Sequence, residues 1–121
     1  MKEIKYMNEA LKLAMNAFEE DEIPVGAVIV KDDKIIGSGY NKKEQTGNPL
    51  KHAELIAIEE ACKRIGDWRL NDCEIYVTLE PCQMCMGAIA ETRIKKVIYG
   101  VEKDEQVFDK IKNIKIKGVL L

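Results

Sequence analysis

A single histidine, a single tryptophan and three prolines are all that 121 residues contain of these types. Any chemistry that needs an imidazole therefore falls to His52. No apolar run approaches the roughly 20 residues that a spanning helix requires, so no membrane partner is expected. The opening residues, Met1-Lys2-Glu3-Ile4-Lys5-Tyr6, carry neither the apolar core nor the small-residue cleavage site of an export signal, and we expect a cytoplasmic protein. An excess of positive charge is also missing. The net charge of −2 argues against tight, charge-driven binding to long duplex nucleic acid. Internal repeats, low-complexity tracts and a domain boundary are likewise not found, and residues 1–121 read as one domain with a core of ordinary size.

Four cysteines are present. With no export signal they read better as reduced thiols and metal ligands than as disulfides. The lysines fall in clusters. Lys42, Lys43 and Lys51 flank the histidine, Arg93, Lys95 and Lys96 follow the last cysteine, and from Lys110 to Leu121 the only charged residues are lysines. Such runs are most often solvated faces.

Apolar periodicity orders the elements. Ile4, Met7, Leu11, Ala14 and Phe18 recur at helical spacing and predict an amphipathic helix over residues 2–20. Val25-Gly26-Ala27-Val28-Ile29-Val30 suits a strand buried on both faces. Asp32-Asp33 then turns the chain into a second, antiparallel strand over residues 34–39. Residues 40–51 read as loop. A helix follows over residues 52–64, with Leu55, Ile58, Ala61, Cys62 and Ile65 inward and Gly66 as its stop. Trp68 then reads as a hydrophobic cap. Residues 73–79 form a strand, 82–92 a helix that Pro81 can open, and 96–101 another strand. A strand–helix–strand succession implies parallel pairing. A last strand is expected over residues 113–119, parallel to its neighbour and reached through a two-turn helix over residues 104–111. The fold class is α/β, a three-layer α-β-α sandwich around a mixed five-stranded sheet.

The chemistry sits in two short motifs, His52-Ala53-Glu54 and Pro81-Cys82-Gln83-Met84-Cys85. One imidazole and two thiolates suit zinc, one ion per chain. Three protein ligands leave the fourth tetrahedral position open, as in a catalytic site. Both motifs stand at predicted helix starts, where the helix dipole favours a thiolate. Cys82 and Cys85 share a helix face. Glu54 is close to the metal without being a ligand, which suits a proton shuttle. This H-x-E…P-C-x-x-C pattern is the signature of zinc-dependent nucleobase deaminases. A structural Cys3His site would need Cys62 or Cys73, both of which read as small core residues. A non-catalytic, zinc-stabilised binding module is the contrasting alternative. Met84 and Met86 read as packing residues, and Met86 and Ala90 could face a second copy in a homodimer.

At these residues the chain resembles the bacterial tRNA adenosine deaminases of the cytidine deaminase-like superfamily. The resemblance extends through Ile23-Pro24-Val25-Gly26-Ala27-Val28, Gly39-Tyr40-Asn41, Asp67-Trp68-Arg69-Leu70, Tyr76-Val77-Thr78-Leu79-Glu80 and Met84-Cys85-Met86-Gly87-Ala88-Ile89. It covers residues 6–101 almost continuously. It implies a cytidine deaminase-like fold, Asn41 bonding the substrate base or sugar, Ala53 lining the pocket and Glu54 as the proton shuttle. The implied reaction converts adenosine to inosine at the wobble position of a tRNA anticodon loop, in a homodimer. A free base or nucleoside of guanine, cytosine or cytidine type is the alternative substrate. Beyond Val101 the resemblance stops. The family continues into a long C-terminal helix that the sequence to Leu121 lacks, so either a compact variant or a shortened chain is expected.

Overall fold

The computed structural model describes residues 2–102 and 118–120. Its elements are α1 (Lys2–Glu19), β1 (Gly26–Lys31), β2 (Lys34–Tyr40), α2 (Lys43–Thr46), α3 (Ala53–Ile65), β3 (Glu74–Leu79), α4 (Gln83–Glu91), β4 (Lys96–Val101) and β5 (Gly118–Leu120). The strands form one mixed sheet in the order β2-β1-β3-β4-β5. β1 runs antiparallel to both β2 and β3, while β3 and β4 are parallel. Helices cover both faces, as the three-layer reading expects.

Each face has its own apolar core. On one side Tyr6, Met7 and Ala10 of α1 pack on Val28, Val30, Tyr76 and Ile98. On the other, Ala53, Ala57, Ile58 and Ala61 of α3 and Ile89 of α4 pack on Ala27, Ile29, Ile75, Val77 and Val97. Alternate residues of β1 thus serve opposite layers, as the two-residue period of a strand requires.

Small residues set how closely the layers approach. A Cβ on Gly26 would collide with the backbone of α1 at Ala10, and one on Gly37 with the backbone of α3 at Ala57. The helices rest almost directly on the strands there. This explains a difference on α1. The expected inward face included Ile4 and Phe18, but these are 51% and 48% exposed. The buried stripe is Tyr6, Met7, Ala10, Ala14 and Ala17. Alanines lie against the sheet, and the larger side chains at 4 and 18 fall to the rim.

The β1–β2 turn uses Asp32 and Asp33, both left-handed at φ 51° and 62°, the pair of positive φ values that suits the twist of a two-residue hairpin. Gly66 ends α3 as expected, at φ 71° with its N–H on the Cys62 carbonyl. Two expectations need correction. Residues 43–46 are a short helix within the stretch read as loop. The last strand is antiparallel to β4, with Val97 opposite Leu120 and Tyr99 opposite Gly118. An antiparallel return does not have to carry the chain back across the sheet, so no crossover helix is needed to reach it. The helix expected over residues 104–111 lies outside the described residues. Among the described residues, no helix is long and apolar enough to cross a membrane.

Candidate active site

The sheet topology gathers several chain ends at one edge. β2 ends at Tyr40 and β3 at Leu79, while β1 begins at Gly26 between them. Two bonds continue the ladders toward this edge, Asn41 N–H to the Val25 carbonyl at 3.1 Å and Glu80 N–H to the Val101 carbonyl at 2.8 Å. Helices α3 and α4 start here too. Ligands collect at such edges of open α/β sheets.

His52 is the N-cap of α3, with extended backbone at φ −81° and ψ 151° and no side-chain cap bond. Its carbonyl takes the Ile56 N–H at 3.1 Å. Cys82 is the N-cap of α4, also extended, and its carbonyl takes the Met86 N–H at 2.9 Å. Cys85 follows within the first turn and is fully buried. Nδ1 of His52 lies 3.8 Å from Sγ of Cys82 and 3.6 Å from Sγ of Cys85.

The donor set fits zinc. The three ligand atoms lie within 4.8 Å of one another. Tetrahedral zinc with its usual bond lengths separates an imidazole nitrogen from a thiolate by about 3.6 Å. Burial, and then the charge of Lys43, lowers the His52 pKa and keeps the ring neutral, the form that ligates. Burial pushes the Cys85 thiol up, and the Glu54 carboxylate and Cys82 push it further. A dication among the donors opposes that trend, since coordination deprotonates a thiol outright.

Glu54 lies in the first turn of α3 and is only 4% exposed. Burial raises its pKa, while its own backbone N–H and the Cys85 thiol pull the other way. Asn41 follows β2 and is 6% exposed. Among the described residues its Oδ1 has no hydrogen-bond partner. Asn41, His52, Ala53, Glu54 and Cys82 line one cavity of about 180 Å3 together with Ile23, Val25, Lys43, Leu79 and Glu80. All six residues singled out in the sequence thus come to one place, five on the cavity wall and Cys85 buried behind it.

Sequence reasoning did not single out Ile23, Lys43 or Glu80 as pocket residues. Lys43 belonged to a basic cluster read as a solvated face, and only its partners separate it from the others. Lys42 lies 4.8 Å over the Tyr40 ring, and Lys51 is 3.8 Å from Glu59. Trp68 does not act as the expected hydrophobic cap. It is 46% exposed, with the Arg69 and Arg93 guanidinium groups over its ring at 4.4 and 5.5 Å. Cys73 is buried, as a core residue should be, and Cys62 packs half-buried against the same core. On α4, Met86 packs inward, and Met84, Gly87 and Ala90 form the exposed side.

Known proteins fit this geometry. The model of the cytidine and deoxycytidylate deaminase zinc-binding region matches residues 1–101. A tRNA-specific adenosine deaminase of Rickettsia bellii is 55% identical over 96 residues, covering 78% of this chain and 66% of the relative. A solved tRNA:A34 deaminase, studied for A-to-I editing at the wobble position of transfer RNA, superposes with a TM-score of 0.82 at 39% identity. That match covers 84% of this chain and 78% of the other. The guanine deaminase of Bacillus subtilis superposes with a TM-score of 0.78 at 42% identity, over 81% of this chain and 63% of the other. The chain spans 58 to 66% of the length of the curated relatives it matches first. With the family model matched through both metal motifs, the chain belongs to the cytidine and deoxycytidylate deaminase zinc-binding family.

Proposed function

We propose that this domain is a hydrolytic deaminase that converts adenosine to inosine at the wobble position of a tRNA anticodon loop, as a homodimer. The observation that carries the chemistry is the buried Glu54 carboxyl on the wall of the cavity that also holds the His52 and Cys82 donors. His52, Cys82 and Cys85 would hold the zinc. When bound, zinc supplies the Lewis acidity that makes water nucleophilic at neutral pH.

The chain's own groups do the rest. Glu54 takes the proton of the attacking water and passes it to the ring nitrogen beside the amino-bearing carbon. The proton left on the added hydroxyl then passes through the same carboxyl to the departing amine as the carbonyl forms. Water adds at the carbon, the carbon–amine bond breaks, and inosine and ammonia leave. Burial raises the Glu54 pKa above the ordinary carboxylate value, the direction that suits a group which must both accept and deliver a proton. Asn41 offers a buried carbonyl oxygen that lacks a partner among the described residues. Leaving such an atom unsatisfied costs about 1–3 kcal/mol, which a donor on the bound nucleoside would recover. Ala53, buried on the cavity wall, leaves room for the base.

The substrate reading is supported by relatives at about half identity that are named tRNA-specific adenosine deaminases. A second reading, deamination of a free base or nucleoside, is favoured by the fold match to a guanine deaminase at 42% identity. The homodimer is supported by the exposed side of α4, where Met84, Gly87 and Ala90 adjoin. A stable interface there would bury upwards of about 1,000 Å2 in total.

A panel assay separates the two substrates. Ammonia release is measured with an anticodon stem-loop carrying adenosine at the wobble position, beside free adenosine, adenine, guanine, cytosine and cytidine. The tRNA reading expects release from the stem-loop alone. Turnover of free guanine with an inert stem-loop would replace it with the second reading.

A further inference from the structure

Between α1 and β1 stands a carboxylate that the proposed chemistry does not use. Glu22 is 4% exposed, deeper than any other acidic residue described except Glu54. Burying a carboxylate is costly unless it is well hydrogen-bonded, and here both oxygens are engaged. Oε1 accepts the backbone N–H of Glu44 at 3.0 Å, and Oε2 accepts that of Gln45 at 2.7 Å. These are first-turn donors of α2, which have no acceptor within the helix. A local cap would normally serve them. Lys42 occupies the N-cap position, and a lysine side chain has no acceptor to offer. Glu22, 22 and 23 positions away in sequence from its two donors, supplies what the local residue cannot.

A helix of four residues does not sustain itself in water, so α2 depends on such outside bonds. Glu20 adds to them, accepting the Tyr40 hydroxyl at 2.7 Å and Gln45 Nε2 at 3.1 Å. The turn held in this way carries two cavity residues, Asn41 just before α2 and Lys43 as its first residue. Next to Glu22 in sequence, Ile23 lines the same cavity. We propose that Glu22 is a positioning residue of the active site, whose buried carboxylate fixes the turn that presents Asn41 and Lys43 to the substrate. Glu22 touches no reacting atom in this arrangement. Its effect is on binding, through the placement of the Asn41 amide before substrate arrives.

The kinetic arm of the test rests on the tRNA reading, and a spectroscopic arm does not. The zinc-loaded chain is compared with Glu22→Ala and Glu22→Gln. The side-chain amide resonances of Asn41 are assigned by their loss in Asn41→Ala, and steady-state kinetics are measured on the anticodon stem-loop. Glu22→Ala should shift the Asn41 amide and raise KM by about tenfold or more. Its kcat should stay within about threefold, with zinc content unchanged. Glu22→Gln, which keeps one acceptor oxygen, should lie between wild type and Ala. Adding Asn41→Ala to Glu22→Ala should cost little more, because both disturb one contact. An unmoved Asn41 amide overturns the proposal, as does a moved amide with unchanged KM, or full additivity of the two substitutions. Should Glu22→Ala fail to fold, Glu22→Gln carries the same comparisons. Should wild type leave the stem-loop unchanged, the tRNA reading falls, and the Asn41 resonances alone decide the positioning role.

Discussion

Nδ1 of His52 faces Sγ of Cys85 at 3.6 Å across the gap between the first turns of α3 and α4. The two helices are distant in sequence and follow different strands, and only the sheet order brings their starts together. Neither N-cap residue, His52 nor Cys82, caps its own helix with its side chain, which leaves the imidazole and that thiol available to share a cation with Cys85.

Removing that cation or one of its ligands has a defined consequence. Purified protein should hold about one equivalent of zinc, and Cys85→Ala should lose most of it because two donors cannot hold the ion tightly. Metal analysis after dialysis checks this. Full zinc retention by Cys85→Ala would exclude the ligand set.

Glu54 should separate metal binding from turnover. Glu54→Gln keeps the size of the side chain and removes its ability to carry a proton. Zinc content should be unchanged while kcat falls by roughly two to four orders of magnitude. Loss of zinc in that variant would make the carboxylate structural.

Acid should release the α2 turn. Burial pushes the Glu22 carboxyl up, but the Gln45 and Glu44 amides and the Lys43 charge outweigh it and hold it below its ordinary value of 4.5. Of the charged neighbours, Lys43 acts with these amides, while the like charge of Glu20 works against them. A lowered folded-state pKa means that the stabilisation is complete above 4.5 and is lost as pH falls through the folded value. Hydrogen exchange at the Glu44 and Gln45 amides should therefore accelerate on acidification beyond the intrinsic trend. The Glu22→Gln variant should show no such step.

The proposed dimer face is open to a substitution that spares the fold. A Cβ on Gly87 would meet nothing within 4 Å, so Gly87→Glu should fold as a monomer and even gain helix propensity. Wild type should scatter light as a dimer at micromolar concentration, and Gly87→Glu as a monomer. A monomeric wild type would remove the dimer from this account.

Close layer packing predicts where the fold is intolerant. A branched side chain on Gly37 would be driven into the backbone of α3, and overpacking of this kind costs about 1–3 kcal/mol or more. Gly37→Val should lower the urea midpoint without changing the slope of unfolding.

Much of this architecture follows from local pattern. The uniform apolar run of β1, the Asp32-Asp33 turn, the Gly66 stop and the helix starts at His52 and Cys82 are all set by neighbours in sequence. So are the metal motifs, because ligand spacing on a helix is local geometry. What was not legible depends on contacts far along the chain. The inward face of α1 is set by alanines lying on Gly26, and counting large apolar residues turns the helix the wrong way. α2 has four residues and no apolar period, and it is held by Glu22, whose own sequence context marks it as an ordinary linker acid. The direction of β5 depends on its ladder with β4. Lys43 looks like its neighbouring lysines until Tyr40 and Glu59 are seen to take the other two.

Nucleoside analysis of a wobble-adenosine stem-loop, after incubation with zinc-loaded protein, bears on the proposed activity with the fewest intervening assumptions. Wild type should convert the wobble adenosine to inosine with one ammonia released per inosine, and Glu54→Gln should leave it as adenosine while still holding zinc. Inosine formation by Glu54→Gln at the wild-type rate would contradict the mechanism. A zinc-replete wild type that leaves the stem-loop untouched while converting free guanine to xanthine would contradict the substrate.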